Sequence, residues 1–285
     1  MPSDNKVIKY SNFTPSSSNV TFSEVKVNAK GGKKIFVSYN GAPILIQLPK
    51  MGSPFGVNRS KYGDATNFSG PPKCSVSFGN MDEHPELKEL HDKLTSVENI
   101  VKKEAQTNSN AWFKKKKMSM ETINEFFKSS IKQSKDKETN EPNGKYPDTF
   151  DFKIIEYNGQ VQTTFFSNDK HPDTKKPVEL DSAVFSAHRA LKGAQLKVIL
   201  KLNSVWIVDK KFGCTWDAES MIVFPTKTLG NDYAFIDESD NEEDLQDYNE
   251  EHEEQESSKE KDSSSSESDD SSDSDSDSDG SDDDD

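Results

Sequence analysis

The chain has 285 residues and a formal net charge of −15, from 36 Lys+Arg and 51 Asp+Glu. Residues 237–285 hold 25 of the acidic residues and only two basic ones, which leaves residues 1–236 with a net charge of +8. Because the sign of a surface charge selects its partners, this basic body is expected to attract a polyanion. No stretch has the length and apolarity of a membrane span, and two cysteines are too few for a disulfide framework. The sequence thus predicts a soluble, intracellular protein.

Sequence patterns of enzymes and cofactor sites are absent from the chain. There is no phosphate-binding Gly-x-x-x-x-Gly-Lys-Ser/Thr, no dinucleotide-binding Gly-x-Gly-x-x-Gly and no zinc-binding His-Glu-x-x-His. The five histidines show no metal-ligand spacing with either cysteine. We therefore expect no enzymatic activity, no cofactor and no metal, with an enzyme that lacks a known motif as the open alternative.

The first part of the chain predicts β-structure. Residues 20–27 alternate apolar and polar side chains, and residues 34–48 form two such runs around Asn40-Gly41, the pair that favours a tight hairpin turn. Glycines and prolines then predict a long loop over residues 49–72, followed by a short strand at 74–78.

Two helices are predicted next. Pro85 opens the first, in which apolar residues recur at helical spacing up to Val101. Ser119 is the predicted N-cap of the second, which we expect to run to residue 133, before a polar linker at 134–147.

Strands resume after the linker. Residues 149–156 and 160–166 flank Tyr157-Asn158-Gly159, again a hairpin signal, and residues 195–209 and 215–224 flank a predicted turn at 210–213. The pattern predicts an α+β or mainly β protein. It divides into a flexible lead (residues 1–19), a nucleic-acid-binding body (residues 20–236, with a helical insert at about 83–133) and a disordered tail (residues 237–285).

Two clusters combine cations with aromatic residues. Lysines neutralise phosphates and an exposed aromatic ring can stack on any base, a combination that suits single strands. The alternative is that the aromatic residues pack in the core while the lysines are simply solvated. The first cluster is Trp112, Phe113, Lys114, Lys115, Lys116 and Lys117, and the second is Trp206, Lys210, Lys211, Phe212 and Trp216. The predicted phosphate contacts are Lys114 to Lys117, Lys210 and Lys211, and the predicted stacking residues are Trp112, Phe212 or Trp216.

The acidic tail predicts regulation of the body. A tethered polyanion can compete with nucleic acid for the basic surface, and the alternative is a tail that only confers solubility. Several tail serines lie in acidic surroundings typical of phosphorylation sites, and phosphorylation would add negative charge. These serines are Ser257, Ser264, Ser266, Ser268, Ser271 and Ser274.

Three segments carry a resemblance to a known family. Residues 44–57 (ILIQLPKMGSPFGV), 112–119 (WFKKKKMS) and 211–216 (KFGCTW) resemble the single-stranded DNA-binding proteins of nucleocytoplasmic large DNA viruses, which are related to the acidic-tailed protein of short-tailed coliphages. The resemblance implies an oligonucleotide-binding-fold (OB-fold) barrel with a helical insertion that coats single-stranded DNA in viral replication, recombination or repair. One departure is that the phage tails end in an aromatic residue, whereas this chain ends in Asp285.

The expected partners follow from these features. Single-stranded DNA is the expected ligand, with RNA as an alternative, and the tail is expected to contact replication proteins. A homodimer, the host cytoplasm at the viral replication site, and packaging in the virion are compatible with the sequence. The competing hypothesis is an acidic-tailed interaction or virion protein, similar to a histone chaperone, that binds basic partners.

Overall fold

The structure is a computed structural model that describes residues 6–29, 31–60 and 70–224. The acidic tail and its serines (residues 237–285) lie outside the described residues, as do residues 225–236 at the end of the predicted body. None of the described helices is long and apolar enough to cross a membrane.

Strands dominate the described part of the chain. The strands are β1 (Ile8–Lys9), β2 (Val20–Phe22), β3 (Lys26–Val27), β4 (Lys33–Ile35), β5 (Val37–Tyr39), β6 (Ala42–Gln47), β7 (Met51–Gly52), β8 (Val57–Asn58), β9 (Lys73–Ser77), β10 (Phe127–Lys128), β11 (Ile131–Lys132), β12 (Thr149–Ile154), β13 (Glu156–Tyr157), β14 (Gln160–Val161), β15 (Thr164–Lys170), β16 (Pro177–Leu180), β17 (Gln195–Val208) and β18 (Lys211–Phe224). The helices are α1 (Pro85–Thr107), α2 (Ser109–Phe113), α3 (Met120–Phe126) and α4 (Ser182–Phe185).

A long antiparallel hairpin, β17 with β18, organises the main sheet. Strands β4, β6 and β7 pair with β17 in antiparallel fashion. Strands β10, β12 and β15 pair with β18 in parallel fashion. The main sheet follows the order β2-β5-β6-β17-β18-β12-β9-β8, with further strands attached to this path. The mixed α+β class is confirmed, whereas closure into an OB-fold barrel stays a prediction.

Both turns predicted at Asn-Gly pairs form, but the second hairpin joins only β13 and β14, because the flanking strands β12 and β15 each pair with β18 instead of with each other. Asn40 and Gly41 have φ angles of 51° and 78° between β5 and β6, and Asn158 and Gly159 have 49° and 75° between β13 and β14. Positive φ at both turn positions matches the right-handed twist of the flanking strands.

The third predicted turn is displaced. The chain reverses at Asp209 and Lys210, with a φ of 55° at Asp209, so Lys211 and Phe212 belong to β18. The turn forms where β17 and β18 meet in register, at Val208 opposite Lys211.

The first predicted helix is confirmed as α1, whose apolar face is buried in the core. The second begins as predicted, with the Ser119 hydroxyl accepting a hydrogen bond from the Thr122 backbone N–H, but it ends at Phe126. The remaining residues enter β10 and β11 instead, because they find backbone partners in β18 and β12. Tertiary pairing here overrides a local helical pattern.

The N-terminal lead is ordered from residue 6 onward, which corrects its prediction as flexible. Strand β1 pairs with β6, and the Phe13 side chain is fully buried 4.9 Å from the Tyr39 ring, measured between ring centroids. Burial of Phe13 favours an ordered segment because it removes a large apolar surface from water.

Candidate nucleic-acid interface

An open groove of about 550 Å³ is bounded by residues of β4, β9, β10, β11, β12, β17 and β18. Its lining combines exposed lysines with the core residues Phe152, Cys214 and Trp216. The groove is lined by Lys34, Lys73, Lys128, Ser129, Ser130, Lys132, Asp151, Phe152, Lys153, Asn203, Trp206, Val208, Cys214, Thr215, Trp216 and Asp217. Five lysines against two aspartates give this surface an excess of positive charge.

One row of residues across the strands places the indole ring of Trp206 between two lysines. The strand registers place Lys26 opposite Lys34, Lys34 opposite Trp206, Trp206 opposite Gly213 and Gly213 opposite Lys128. Residues directly opposite on neighbouring strands share a face of the sheet. Trp206 is therefore flanked by Lys34 and Lys128 across the strands.

Gly213 makes room for the Trp206 ring. A Cβ atom added at Gly213 would lie 3.2 Å from Nε1 and Cζ2 of Trp206 and 2.5 Å from the Lys128 carbonyl oxygen. The indole thus extends over the glycine backbone. Trp206 remains half-buried, with part of its ring exposed to the groove.

A second row sets two lysines against each other. Lys153 lies opposite Asp217 on one side and opposite Lys73 on the other. Loss of hydration, and then the charges of Lys73 and Lys34, lower the pKa of Lys153, although Asp217 acts in the opposite direction. Like charges directly opposite destabilise a sheet. A bound anion would relieve this repulsion.

The two groove aspartates are engaged by neutral donors. The Asn203 side-chain amide donates to Asp217 at 2.5 Å, and the Ser75 hydroxyl donates to Asp151 at 2.6 Å. Among the residues that the structure describes, none of the five groove lysines forms an ion pair. These ammonium groups are therefore available to phosphates.

A buried carboxyl group fixes one wall of the groove. Glu98 interrupts the apolar face of α1 and accepts hydrogen bonds from the Ser129 hydroxyl at 2.7 Å and the Ser130 backbone N–H at 2.8 Å. Burial raises the pKa of Glu98, although these hydrogen bonds oppose the shift. The anchored segment carries Lys128 and Lys132, so Glu98 helps to position two of the five lysines.

The three aromatic residues predicted to stack are in the core, which corrects that prediction. Trp112 is 3% exposed, Phe212 is 0% exposed and Trp216 is 2% exposed. The Phe212 ring packs against Trp112 and Phe113, and the Trp216 ring packs against Phe150. Phe212 and Trp216 occupy positions of β18 whose side chains point into the core. Trp112 is buried because α2 packs it against Phe212.

The predicted lysines are exposed but lie outside the groove. Lys114 is the C-cap residue of α2 and has a left-handed conformation with a φ of 61°. The side chains of residues 114–117 are all exposed. Lys114 lies near Lys33, whose ammonium group donates to the Trp112 carbonyl oxygen at 2.5 Å. Loss of hydration and then the Lys114 charge lower the pKa of Lys33. Lys210 and Lys211 are exposed at the end of the β17–β18 hairpin.

Most of the groove residues escape prediction from the sequence. Of the residues in the two predicted clusters, only Trp206 and Trp216 line the groove. The sequence does not decide whether Trp206 packs in the core or stacks on a base. Lys34, Trp206 and Lys153 occupy outward positions of alternating strands, a signal visible in the sequence. What the alternation does not reveal is which strands lie side by side.

The cysteines and the metal-binding residue types do not define a second site. Cys74 and Cys214 are both buried, and burial raises the pKa of the Cys74 thiol to about 11, which keeps it protonated and unreactive. In the described ranges, no group of three or more His, Cys, Asp or Glu side chains could hold a metal ion.

The fold and groove define a class of site: a cationic, indole-bearing surface on a large mixed sheet. No protein-family model matches the sequence, and no curated protein matches it significantly. Solved structures with some similarity include the single-stranded DNA-binding protein of bacteriophage Enc34 in complex with single-stranded DNA, at 11% identity and a TM-score of 0.35 over 72% of this chain and 92% of that one.

A second similar structure is gp2.5, a single-stranded DNA-binding protein encoded by bacteriophage T7, at 12% identity and a TM-score of 0.36 over 68% of this chain and 98% of that one. TM-scores of 0.35 and 0.36 are too low to establish a shared fold.

Proposed function

We propose that this protein binds single-stranded nucleic acid, with single-stranded DNA as its ligand, in the lysine-lined groove. Lys34, Lys73, Lys128 and Lys153 contact phosphates, and the Trp206 ring stacks on a base. Lys132 adds charge at the groove wall. RNA is the closest alternative ligand, because nothing in this set of side chains requires the absence of a 2′-hydroxyl.

The observation that supports this proposal is the half-exposed indole that lies over Gly213 between Lys34 and Lys128, neither of which forms an ion pair with another described residue. A ring held in this way offers its face to a planar ligand, and base stacking contributes roughly 1–3 kcal/mol per base. Bases inside a duplex are already stacked on each other. An unpaired strand is therefore the polyanion that uses both the ring and the cations.

The wider biological role is proposed from the sequence. We propose that the protein coats single-stranded DNA during viral DNA replication, recombination or repair, through an OB-fold-like body, at the replication site in the host cytoplasm. The acidic residues 237–285 would compete with DNA and contact replication proteins.

Binding is tested by fluorescence anisotropy of labelled oligo-dT and of a duplex of the same length, each titrated with the full chain at several salt concentrations. We expect oligo-dT to bind more tightly at low salt, and binding to weaken as salt rises, because phosphate contacts release counterions. Tighter binding of the duplex, or no binding of oligo-dT at low salt, contradicts the proposal.

A matched variant separates the groove from general basicity. Lys88 and Lys103 are exposed on α1 and lie outside the groove, so K88A/K103A is the control for K34A/K153A. Both variants remove two positive charges. Only K34A/K153A is expected to weaken binding substantially, and equal losses would indicate attraction without a defined site.

The role of the tail is tested by a chain that ends at Ile236. Removal of a competing polyanion should strengthen oligo-dT binding, most at low salt. Unchanged DNA binding together with a loss of binding to basic proteins would favour the competing hypothesis of an acidic-tailed interaction protein.

A further inference from the structure

Phe36 is an exposed aromatic residue on the same face of the sheet as the groove. It follows β4 directly, two residues after Lys34, and its side chain is 40% exposed while that of Ile35 points into the core. Its backbone is held on both sides: the Phe36 N–H donates to the Ser23 hydroxyl at 2.9 Å, and the Phe36 carbonyl accepts from the Ser23 N–H at 2.9 Å. The ring is therefore carried by a fixed backbone.

The strand register makes Phe36 a diagonal neighbour of Trp206. Lys34 lies opposite Trp206 and Ile35, the last residue of β4, lies opposite Val205, so Phe36 follows the paired segment two residues after the partner of Trp206. Diagonal neighbours of this kind lie about 7–8 Å apart and remain within reach of aromatic side chains. Two accessible rings thus share one face at a spacing that successive bases of an extended strand can match.

Cations accompany both rings. The Lys26 ammonium nitrogen lies 5.0 Å from the centroid of the Phe36 ring, and Lys26 is the cross-strand partner of Lys34. Because Lys26 and Phe36 are both exposed, their contact is weak, and a base can displace the ammonium group from the ring. The displaced ammonium group is then free to contact a phosphate.

We propose that Phe36 and Trp206 form a two-ring platform that takes two adjacent unpaired bases, with Lys26 and Lys34 on the phosphates beside them. The proposal rests on the proposed function and extends it. The nucleic acid path runs across the strands, from Lys128 over Trp206 toward β3, rather than ending at the indole. The platform selects unpaired bases that are consecutive.

An oligonucleotide with only two bases tests whether the two bases must be adjacent, without fixing the position at which the protein binds. An oligonucleotide of abasic sites carries two thymines that are either adjacent or separated by four abasic sites, so both strands have the same charge and the same base content. The wild-type full chain should bind the adjacent strand at least about fivefold more tightly, because only that strand places a base on each ring. F36A and W206A should bind both strands equally.

Three variants control for changes that are only structural. F36W keeps a stacking ring and should retain the preference, whereas F36L keeps an apolar side chain without a ring and should lose it. Tyr157 is 71% exposed on the separate β13–β14 hairpin, so Y157A removes an exposed ring elsewhere and should bind like the wild type.

The outcomes distinguish the two proposals. Equal binding of the two strands by the wild type, or a preference that survives in F36A or F36L, overturns the platform while leaving single-strand binding intact. Absence of binding to ordinary oligo-dT at low salt overturns the proposed function itself.

Discussion

The groove and the lysine run at residues 114–117 are both basic and both have aromatic neighbours, yet the fold treats them in opposite ways. In the run, Trp112 and Phe113 precede the lysines directly, but the Trp112 ring is buried against Phe212 while the lysines remain exposed. In the groove, an accessible indole and its lysines come from strands far apart in the chain. Adjacency in sequence therefore does not produce a stacking site, whereas adjacency across a sheet can.

The largest expected effect separates the lysines of these two regions. K34A/K73A/K128A/K153A should weaken oligo-dT binding by at least about 100-fold at low salt and reduce the slope of log affinity against log salt by about 0.7 for each phosphate that is no longer neutralised. K114A/K115A/K116A/K117A removes the same charge and should weaken binding much less. Equal effects in the two quadruple variants, measured by anisotropy across a salt series, would remove the distinction.

The next effect separates the indoles. W206A should weaken binding by about tenfold, because a stacked base contributes roughly 1–3 kcal/mol. In the wild type, oligo-dT should quench tryptophan fluorescence. That quenching should disappear in W206F, although Trp112 and Trp216 remain. Quenching that persists in W206F would assign the signal to Trp112 or Trp216 and contradict the stacking role of Trp206.

A third test concerns the backbone beneath the indole. G213A places a Cβ atom against the Lys128 carbonyl and the Trp206 ring, so it should lower the free energy of unfolding by about 1–3 kcal/mol, as overpacking does. G52A is the matched control, since a Cβ atom at Gly52 meets nothing within 4 Å. Urea unfolding of both variants measures the difference, and equal stabilities would mean that the indole does not lie over Gly213.

The smallest effect concerns Lys153. Its lowered pKa means that the folded state disfavours the charged form, so the associated loss of stability is present at neutral pH and disappears as the pH rises toward the ordinary lysine value of 10.5. K153M should therefore be slightly more stable than the wild type near neutral pH, with a difference that shrinks at alkaline pH. The same variant should bind oligo-dT more weakly.

Thermal unfolding of the wild type and K153M between neutral and alkaline pH provides this measurement. A stability difference that grows with pH would contradict the lowered pKa of Lys153 that loss of hydration and the neighbouring lysines produce. The lysine run offers the matched control variant K116M, which removes an exposed lysine outside the groove.

Much of the local structure was predictable from the sequence. The hairpins at Asn40-Gly41 and Asn158-Gly159, the helix that begins at Pro85 and the Ser119 cap all depend on nearest neighbours. The separation of charge between residues 1–236 and 237–285 was likewise visible in the sequence. The second helix was predicted too long, because residues after Phe126 pair with β18 and β12, partners that no local pattern identifies.

What the sequence alone determined was a basic, strand-rich body with lysines and aromatic residues suited to a polyanion. Only the tertiary structure decided which of them share a surface. Trp112, Phe212 and Trp216 are buried in the core, and strand pairing brings Lys34, Lys128 and Lys153 into the groove that Trp206 also lines. The physical reason is that charge and secondary-structure propensity are properties of single residues. A binding face depends instead on the order and register of strands that are distant in the chain.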